Sequence, residues 1–194
     1  NLLPTLPAMV LLCIQQIESS QDSPLADGSF GHLYDALITR NLWNDGAGRT
    51  DIGAKRKFLS LFAHTLYASE KDGMPYSEWE ALYDQYADDY DAAYPRYTFL
   101  REVLDSGLVS KSGDNVIFRY RYAYCFFVAE FMSETMPQHL IKEAATTLCT
   151  RLHHDESASI LLFLAHRDRD GSIQDVLMNL SRNMLEAADG FDLH

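Results

Sequence analysis

In a chain whose apolar residues otherwise recur at helical spacing, one short segment alternates with the period of a β-strand. In VIFRYRY (116–122), apolar and aromatic residues alternate with Ile117 and two arginines. Leu108 and Val109 precede this segment across a polar turn at Lys111–Asn115. An alternation of period two predicts a strand with one buried face. The sequence therefore predicts a two-stranded β-hairpin here.

Helical spacing on both sides of the hairpin predicts a mainly α chain. The predicted helices are Pro7–Glu18, Phe30–Trp43, Asp51–Ser69, Ser77–Tyr90, Tyr97–Ser106, Phe126–Met136, Leu140–Leu152, Ala158–Arg167 and Ile173–Ala188. Asp51 is the expected N-cap of the third helix, and Ser77 with Glu80 forms the expected capping box of the fourth.

The order of elements between residues 51 and 123 is that of a winged helix. Three helices cannot cover their own core, so the hairpin closes the open side. The phrase LREVLDSGLV (100–109), running into the hairpin, is typical of that fold. We therefore predict a helical segment at 1–50, a winged-helix domain at 51–123, and an antiparallel helical stack, or helical arm, at 124–194.

The charge balance argues against an extended nucleic-acid surface. The chain has 28 acidic residues against 16 Lys and Arg, a net charge of −12, whereas phosphate binding needs clustered cations. Residues 77–95 carry six acids and no Lys or Arg, and in the recognition position Arg101 stands beside Glu102 and Asp105. These features favour a winged helix that binds protein over one that binds DNA.

Cysteine usage and hydropathy indicate a cytoplasmic chain. The cysteines are odd in number and widely spaced: Cys13, Cys125 and Cys149. They fit neither a disulfide framework nor a zinc site and are expected as buried free thiols in a reducing compartment. No apolar run is long enough for a membrane span, and the nearest, Leu2–Ile17, contains two prolines.

The motifs that resemble catalytic or metal sites are incomplete. The turn beginning at His166 imitates an EF-hand, but its first ligand position is His166 and its twelfth is Leu177. The run His153–Glu156 has no second pair at chelating spacing. We predict no catalytic residue and no metal site. A hydrolase is a third possibility, and it would need a cleft that gathers His64, Cys125 or His166 with carboxylates.

The aromatic segment FRYRYAYCFFVAEFM (118–132) resembles the C-terminal regulatory part of STAND-class NTPases, the NACHT-like and NB-ARC-like signalling group that includes many antiviral defence proteins. In those proteins an aromatic strand of the wing runs directly into a helix of the type Phe-x-x-Phe-x-Ala, which Tyr124, Phe127 and Ala129 match here. Residues 156–180 are similar to the helices that follow, and Thr5–Ala8 is similar to the start of the lid subdomain.

The resemblance implies a non-catalytic fragment made of lid helices at 1–50, a winged helix and the start of a helical arm. The strands that bind ATP or ADP and Mg would then precede Asn1, which agrees with the missing P-loop and with a chain that does not begin with Met. A family Pro at the Pro7 position packs near the adenine. A family His that touches the β-phosphate falls here on Arg121 or Tyr122, and either side chain could donate a hydrogen bond.

The function implied by the resemblance is to relay the nucleotide state of a parent ATPase to oligomerisation, through protein partners or self-assembly, in antiviral defence. The acidic helix 77–90 is the candidate contact surface, which charge reversal at Asp88, Asp89 and Asp91 would test. The alternative is a free-standing winged-helix adaptor or transcription regulator.

Overall fold

The computed structural model describes residues 29–43, 50–168, 171, 173 and 175–179. Its helices and strands are α1 (Ser29–Trp43), α2 (Ile52–Ala68), β1 (Gly73–Pro75), α3 (Tyr76–Tyr90), α4 (Arg96–Asp105), β2 (Val109–Ser112), β3 (Asn115–Phe118), α5 (Arg121–Thr135), α6 (Gln138–Thr150) and α7 (Asp155–Arg167). A mainly helical chain with a small antiparallel sheet is confirmed. The predicted helix Pro7–Glu18 lies outside the described residues, and of Ile173–Ala188 only 173 and 175–179 are described, as helix.

The sheet has three strands, one more than the predicted hairpin. Its order is β1-β3-β2, with Val116 paired to Met74 on one side and to Lys111 on the other. The side chains of Met74 and Val116 are buried. The third strand, β1, covers the edge of β3 that a two-stranded hairpin would leave open.

The extra strand has no signature in the sequence because Gly-Met-Pro is a poor strand former. Gly73 is required by a close approach: a Cβ there would lie 2.6 Å from Cγ2 of Ile117 and 3.1 Å from the Val116 carbonyl oxygen. Tertiary pairing with β3 therefore creates this strand, and intrinsic propensity does not.

The start of α3 corrects the predicted capping box. The helix begins at Tyr76 with Pro75 in the N-cap position, and no side chain caps it. The Tyr76 N–H instead donates to the Asp114 carbonyl oxygen at 2.8 Å. Because β1 delivers the chain directly into the helix, Ser77 lies within the first turn and the Ser77–Glu80 capping box is wrong.

The predicted N-cap of α2 is confirmed, since the Asp51 carboxylate accepts the Ala54 N–H at 3.1 Å. We expect Asp51→Ala to lower the free energy of unfolding by about 1 kcal/mol. Ser77→Ala is the matched control and changes it by less than about 0.5 kcal/mol, because Ser77 caps nothing. Urea denaturation of both variants measures this; equal losses would contradict the assignment of the caps.

An aromatic cluster fills the unit formed by α2, α3, α4 and the sheet. Phe58 of α2 lies at its centre, with ring centroids 5.4–5.7 Å from those of Trp79, Tyr83, Tyr86 and Phe99. All five side chains are buried. The aromatic side chains of α3 from Trp79 to Tyr86 therefore belong to the core, whereas Tyr90 at the end of the helix is exposed.

The connection between the strand β3 and the helix α5 is short, and the helix begins before the alternation in the sequence ends. The strand ends at Phe118, Tyr120 is extended, and α5 begins at Arg121. The Tyr120 carbonyl oxygen accepts the N–H groups of Ala123 and Tyr124, which starts the helix. The alternation in the sequence therefore runs past the end of the strand, and Tyr122 lies in the first turn of α5, where its ring stacks on that of Tyr120 with the centroids 5.5 Å apart.

The helix α5 is the central element of the second half. It packs against α2 on one side and α7 on another, while α6 packs against α7. Its residues 123–130 are all buried, so α5 lacks the polar face of a surface helix. Phe126 of α5 meets Phe163 of α7 edge to face, with ring centroids 5.5 Å apart.

No helix among the described residues combines the length and the apolar character that a membrane crossing would need.

Candidate functional site

The β3–α5 junction carries two of the predicted site residues, and they lie against different neighbours. Arg121, in the first turn of α5, pairs with Glu156 in the first turn of α7 and lies 3.5 Å from the Asp72 carboxylate. Its side chain is 60% exposed, so a solute can reach it. The third predicted residue, Pro7, lies outside the described part of the chain.

Tyr122 is directed toward α1. Its ring lies 5.2 Å from that of Tyr34 and stacks on Tyr120. Burial raises the pKa of Tyr122 to about 12, and the neighbouring Tyr120 and Tyr34 add to the shift. The phenol is therefore neutral at pH 7 and keeps its O–H as a hydrogen-bond donor.

A cleft of about 430 Å³ adjoins Arg121. It is bounded by the end of α2 and the loop after it, by the first turns of α5 and α7, and by the end of α6. Its lining residues are Tyr67, Ala68, Glu70, Lys71, Asp72, Tyr124, Thr147, Leu148, Arg151, Glu156 and Ser157. Both carboxylates that pair with Arg121 belong to this lining, so Arg121 lies at the edge of the cleft.

The cleft holds charges of both signs, with acids at Glu70, Asp72 and Glu156 and bases at Lys71 and Arg151. Burial raises the pKa of Tyr67, and the Glu156 carboxylate adds to the rise while Arg151 opposes it. Burial also raises the pKa of Tyr124. Both phenols stay neutral, so the cleft offers hydrogen-bond donors and charges of both signs, without a concentrated positive potential.

The residues that a hydrolase would need lie in separate environments. Burial raises the pKa of Cys125 to about 12, so its sulfur is a thiol and not a nucleophilic thiolate. His64 stacks on Phe131 at 4.0 Å, and His166 lies edge to face with His32 at 4.8 Å. Cys125 and Cys149 are free and buried as expected. Cys13 is outside the described residues.

The EF-hand-like turn is a helix end. Gly171 has φ 71° and the Asp168 carboxylate accepts the Ile173 N–H at 2.6 Å, so Asp168 caps the next helical residues. Within the described residues, no group of three or more His, Cys, Asp or Glu side chains could hold a metal ion.

A charge cluster around the buried Glu130, which no local sequence pattern predicts, joins four helices. Its members are Asp35 of α1, Arg56 of α2, Glu130 of α5 and Arg167 of α7. Glu130 Oε1 accepts Arg56 Nη2 at 2.6 Å, Arg56 Nε at 3.1 Å and Arg167 Nη2 at 3.0 Å. Arg56 Nη2 also donates to Asp35 at 2.7 Å. A single Glu inside the apolar run 123–132 was the available signal.

In this cluster, burial disfavours the charged forms of the side chains, and the neighbouring opposite charges favour them. Burial raises the pKa of the Glu130 carboxyl, and both arginines act against that rise. Burial alone would lower the pKa of Arg56, but Glu130 and Asp35 raise it above its ordinary value. Both guanidinium groups also lie over the ring of Phe126, at 5.5 Å for Arg56 and 4.7 Å for Arg167. The two arginines thus stabilise the charged form of Glu130 against the effect of its burial.

Two half-buried histidines, His64 and His166, predict a loss of stability on acidification. Burial lowers the pKa of His64; burial, then His32 and Arg167, lower that of His166. The ordinary pKa of a histidine is 6.5. As the pH falls from about 7 through this value, these histidines bind protons more readily in the unfolded chain than in the folded one. The free energy of unfolding therefore falls with the pH. Glu130, whose pKa is raised, acts with the opposite sign nearer the carboxyl range.

Urea titrations at several pH values check the histidine effect. The variant His64→Gln cannot titrate at that position, and we expect a shallower decline of stability between about pH 7 and 5.5. An identical pH slope in the wild-type protein and the variant would contradict the role of His64.

Comparison with protein families gives one match to the described region. The model of a family described as Novel STAND NTPase 4 matches residues 73–128, which run from β1 to the middle of α5. This region of the chain is associated with STAND-class NTPases. A comparison with curated proteins finds no significant match.

Proposed function

We propose that this chain is the regulatory and interaction portion of a STAND-like signalling NTPase and relays the nucleotide state of the parent ATPase to oligomerisation. On this proposal the chain itself performs no catalysis, and ATP or ADP with Mg binds to a preceding part of the protein. The family match at 73–128 supports the STAND context. A cytoplasmic location and a role in antiviral defence belong to the same proposal.

The arrangement of α2, α3, α4 and the sheet supports the assignment of a winged helix to this region. The helices surround Phe58, and β2 and β3 close the side that they leave open, as Phe118 of β3 stacks on Phe62 of α2 at 5.1 Å. In the recognition position, the charges of α4 are engaged within the protein: Glu102 pairs with Lys55, and Arg101 with Asp105. This pairing favours protein contacts over phosphate contacts for the unit.

The position of Arg121 is the main observation that supports the proposed relay. Arg121 follows the last strand by three residues, opens the central helix α5 and pairs with Glu156 of α7. A phosphate near Arg121 would compete with Glu156 for the guanidinium group, since both are anions that accept its N–H donors. Gain or loss of that phosphate would therefore change the contact between α5 and α7.

We expect Arg121→Ala to weaken ADP binding about tenfold in the protein that joins the nucleotide-binding part to this chain, and to raise its oligomeric fraction. Arg101→Ala is the matched control, because Arg101 is 67% exposed and its partner is also a carboxylate. Isothermal titration and mass photometry give the two readouts. Unchanged ADP affinity in Arg121→Ala would overturn the relay.

The same titration decides between the two candidates at the junction. Tyr122→Phe removes only the hydroxyl, and we expect unchanged ADP binding because the Tyr122 ring packs on Tyr34 and Tyr120. If Tyr122→Phe weakens binding and Arg121→Ala does not, the phosphate contact belongs to Tyr122. Pro7 remains a proposed adenine contact.

The acidic face of α3 is the proposed surface for a protein partner or a second copy. Asp88 and Asp89 are exposed. Asp91 has φ 48°, so its replacement would add backbone strain and is left out of the test. We expect Asp88→Lys with Asp89→Lys to reduce assembly of the full-length protein. Asp114→Lys with Glu143→Lys makes the same charge change at exposed sites elsewhere, and equal effects of the two pairs would overturn the surface.

A further inference from the structure

An apolar face and a polar contact point with α2 help to attach the helix α1 to the other described helices. Leu33, Leu37 and Ile38 are buried. The polar contact point is Arg56 of α2, whose guanidinium group donates to Asp35 at 2.7 Å and to Thr39 Oγ1 at 3.2 Å. One cation of α2 thus binds two successive turns of α1.

The donors that bind the buried Glu130 carboxylate do not come from α1. All three donors to Glu130 Oε1 belong to Arg56 of α2 and Arg167 of α7. Asp35 is the outer member: its side chain is 47% exposed, against 4% for Glu130. If α1 separated, Glu130 would keep both cationic partners, and the lost acceptors of Arg56 could be replaced by water.

We propose that Asp35 and Arg56 form an electrostatic latch, which holds α1 on α2 and α5 and can open while α2, α5 and α7 stay folded. We infer this because Asp35 lies at the exposed edge of the cluster, whereas Glu130 lies at its buried centre. Opening breaks a partly exposed ion pair and exposes the apolar face of α1, whereas separating α5 from α2 or from α7 would take one of its two cationic partners from the buried Glu130. This inference does not depend on the proposed function.

Next to the latch, α1 also lies close to α7. The rings of His32 and His166 meet edge to face at 4.8 Å, and a Cβ on Gly31 would overlap the His166 ring. Tyr34 of α1 also meets Phe163 of α7 at 5.1 Å. These contacts fix the position of α1 when the latch is closed, so opening moves α1 relative to both α2 and α7.

Hydrogen exchange on the full chain, read by mass spectrometry, tests the latch. Asp35→Asn removes the charge and keeps the side-chain shape. We expect amides of 29–43 to exchange about fivefold faster than in the wild-type chain, while those of 121–135 are unchanged. Glu134→Gln is the matched control: Glu134 lies 3.9 Å from Arg167 and outside α1, so exchange in 29–43 should not change.

Salt gives a second measurement on the unaltered chain. Raising NaCl from about 50 mM to about 500 mM shortens the Debye length about threefold, and should speed exchange in 29–43 of the wild-type chain more than in Asp35→Asn. Unchanged exchange of 29–43 in Asp35→Asn would overturn the latch. So would equal acceleration in 29–43 and 121–135, because α1 would then open only with the whole fold.

Discussion

Replacing Glu130 with glutamine lowers the free energy of unfolding by about 3–5 kcal/mol, because Arg56 and Arg167 lose the buried carboxylate that they share and keep only the more exposed Asp35 and Glu134. Glu130 is 4% exposed, and Arg56 and Arg167 are each 19% exposed. Glutamine keeps the size of the side chain, so the loss reports the charge and not a cavity. Urea or guanidinium denaturation of the full chain measures it.

The control for Glu130 is its neighbour one turn along α5. Glu134→Gln removes a carboxylate that is 52% exposed and 3.9 Å from Arg167, and we expect a loss below about 1 kcal/mol. Comparable losses in the two variants would mean that the charge cluster contributes no more than a surface ion pair, and would contradict its structural role.

Replacing Phe58 with alanine is the second change with a large expected effect, a loss of about 3–5 kcal/mol. Phe58 is fully buried and contacts aromatic rings from both α3 and α4. The cavity would lie between the three helices, where the sheet leaves little freedom to collapse. We therefore expect the unit of α2, α3 and α4 to lose its packing first.

Tyr97→Ala is the control for the aromatic core, since the Tyr97 side chain is 73% exposed. It should change the free energy of unfolding by less than about 0.5 kcal/mol. Near-UV circular dichroism follows the aromatic packing directly: the signal should fall in Phe58→Ala and persist in Tyr97→Ala. A Phe58→Ala protein with wild-type stability would contradict the central position of Phe58.

The helices could be predicted from the sequence because their buried residues are set by local spacing. Asp51 shows the same for the start of a helix, since its carboxylate caps α2 as its position in the sequence predicts. These signals act within one or two turns, so a single sequence contains them.

Features that depend on distant partners could not be predicted in this way. β1 forms because Gly73 lets its backbone approach Val116, and Ser77 loses its expected role because Pro75 arrives at the helix from that strand. The period of two past Phe118 was misleading, since Tyr120 and Tyr122 stack across the start of a helix.

The site was only partly accessible to sequence reasoning. Arg121 and Tyr122 were placed at the strand-to-helix junction, but their different neighbours depend on where α1 and α7 pack. Glu130 stands out as an acid in an apolar helix. Its partners Arg56 and Arg167 lie 74 and 37 residues away, and no local pattern connects them.

Hydrogen exchange at the β3–α5 junction is the most direct test of a nucleotide relay through Arg121. In the protein that joins the nucleotide-binding part to this chain, ADP and a non-hydrolysable ATP analogue are compared at residues 119–125 and 155–158. The relay predicts different protection at both segments in the two nucleotide states, with the difference lost in Arg121→Ala. Identical protection at these segments with either nucleotide, while the oligomeric state responds, would contradict it.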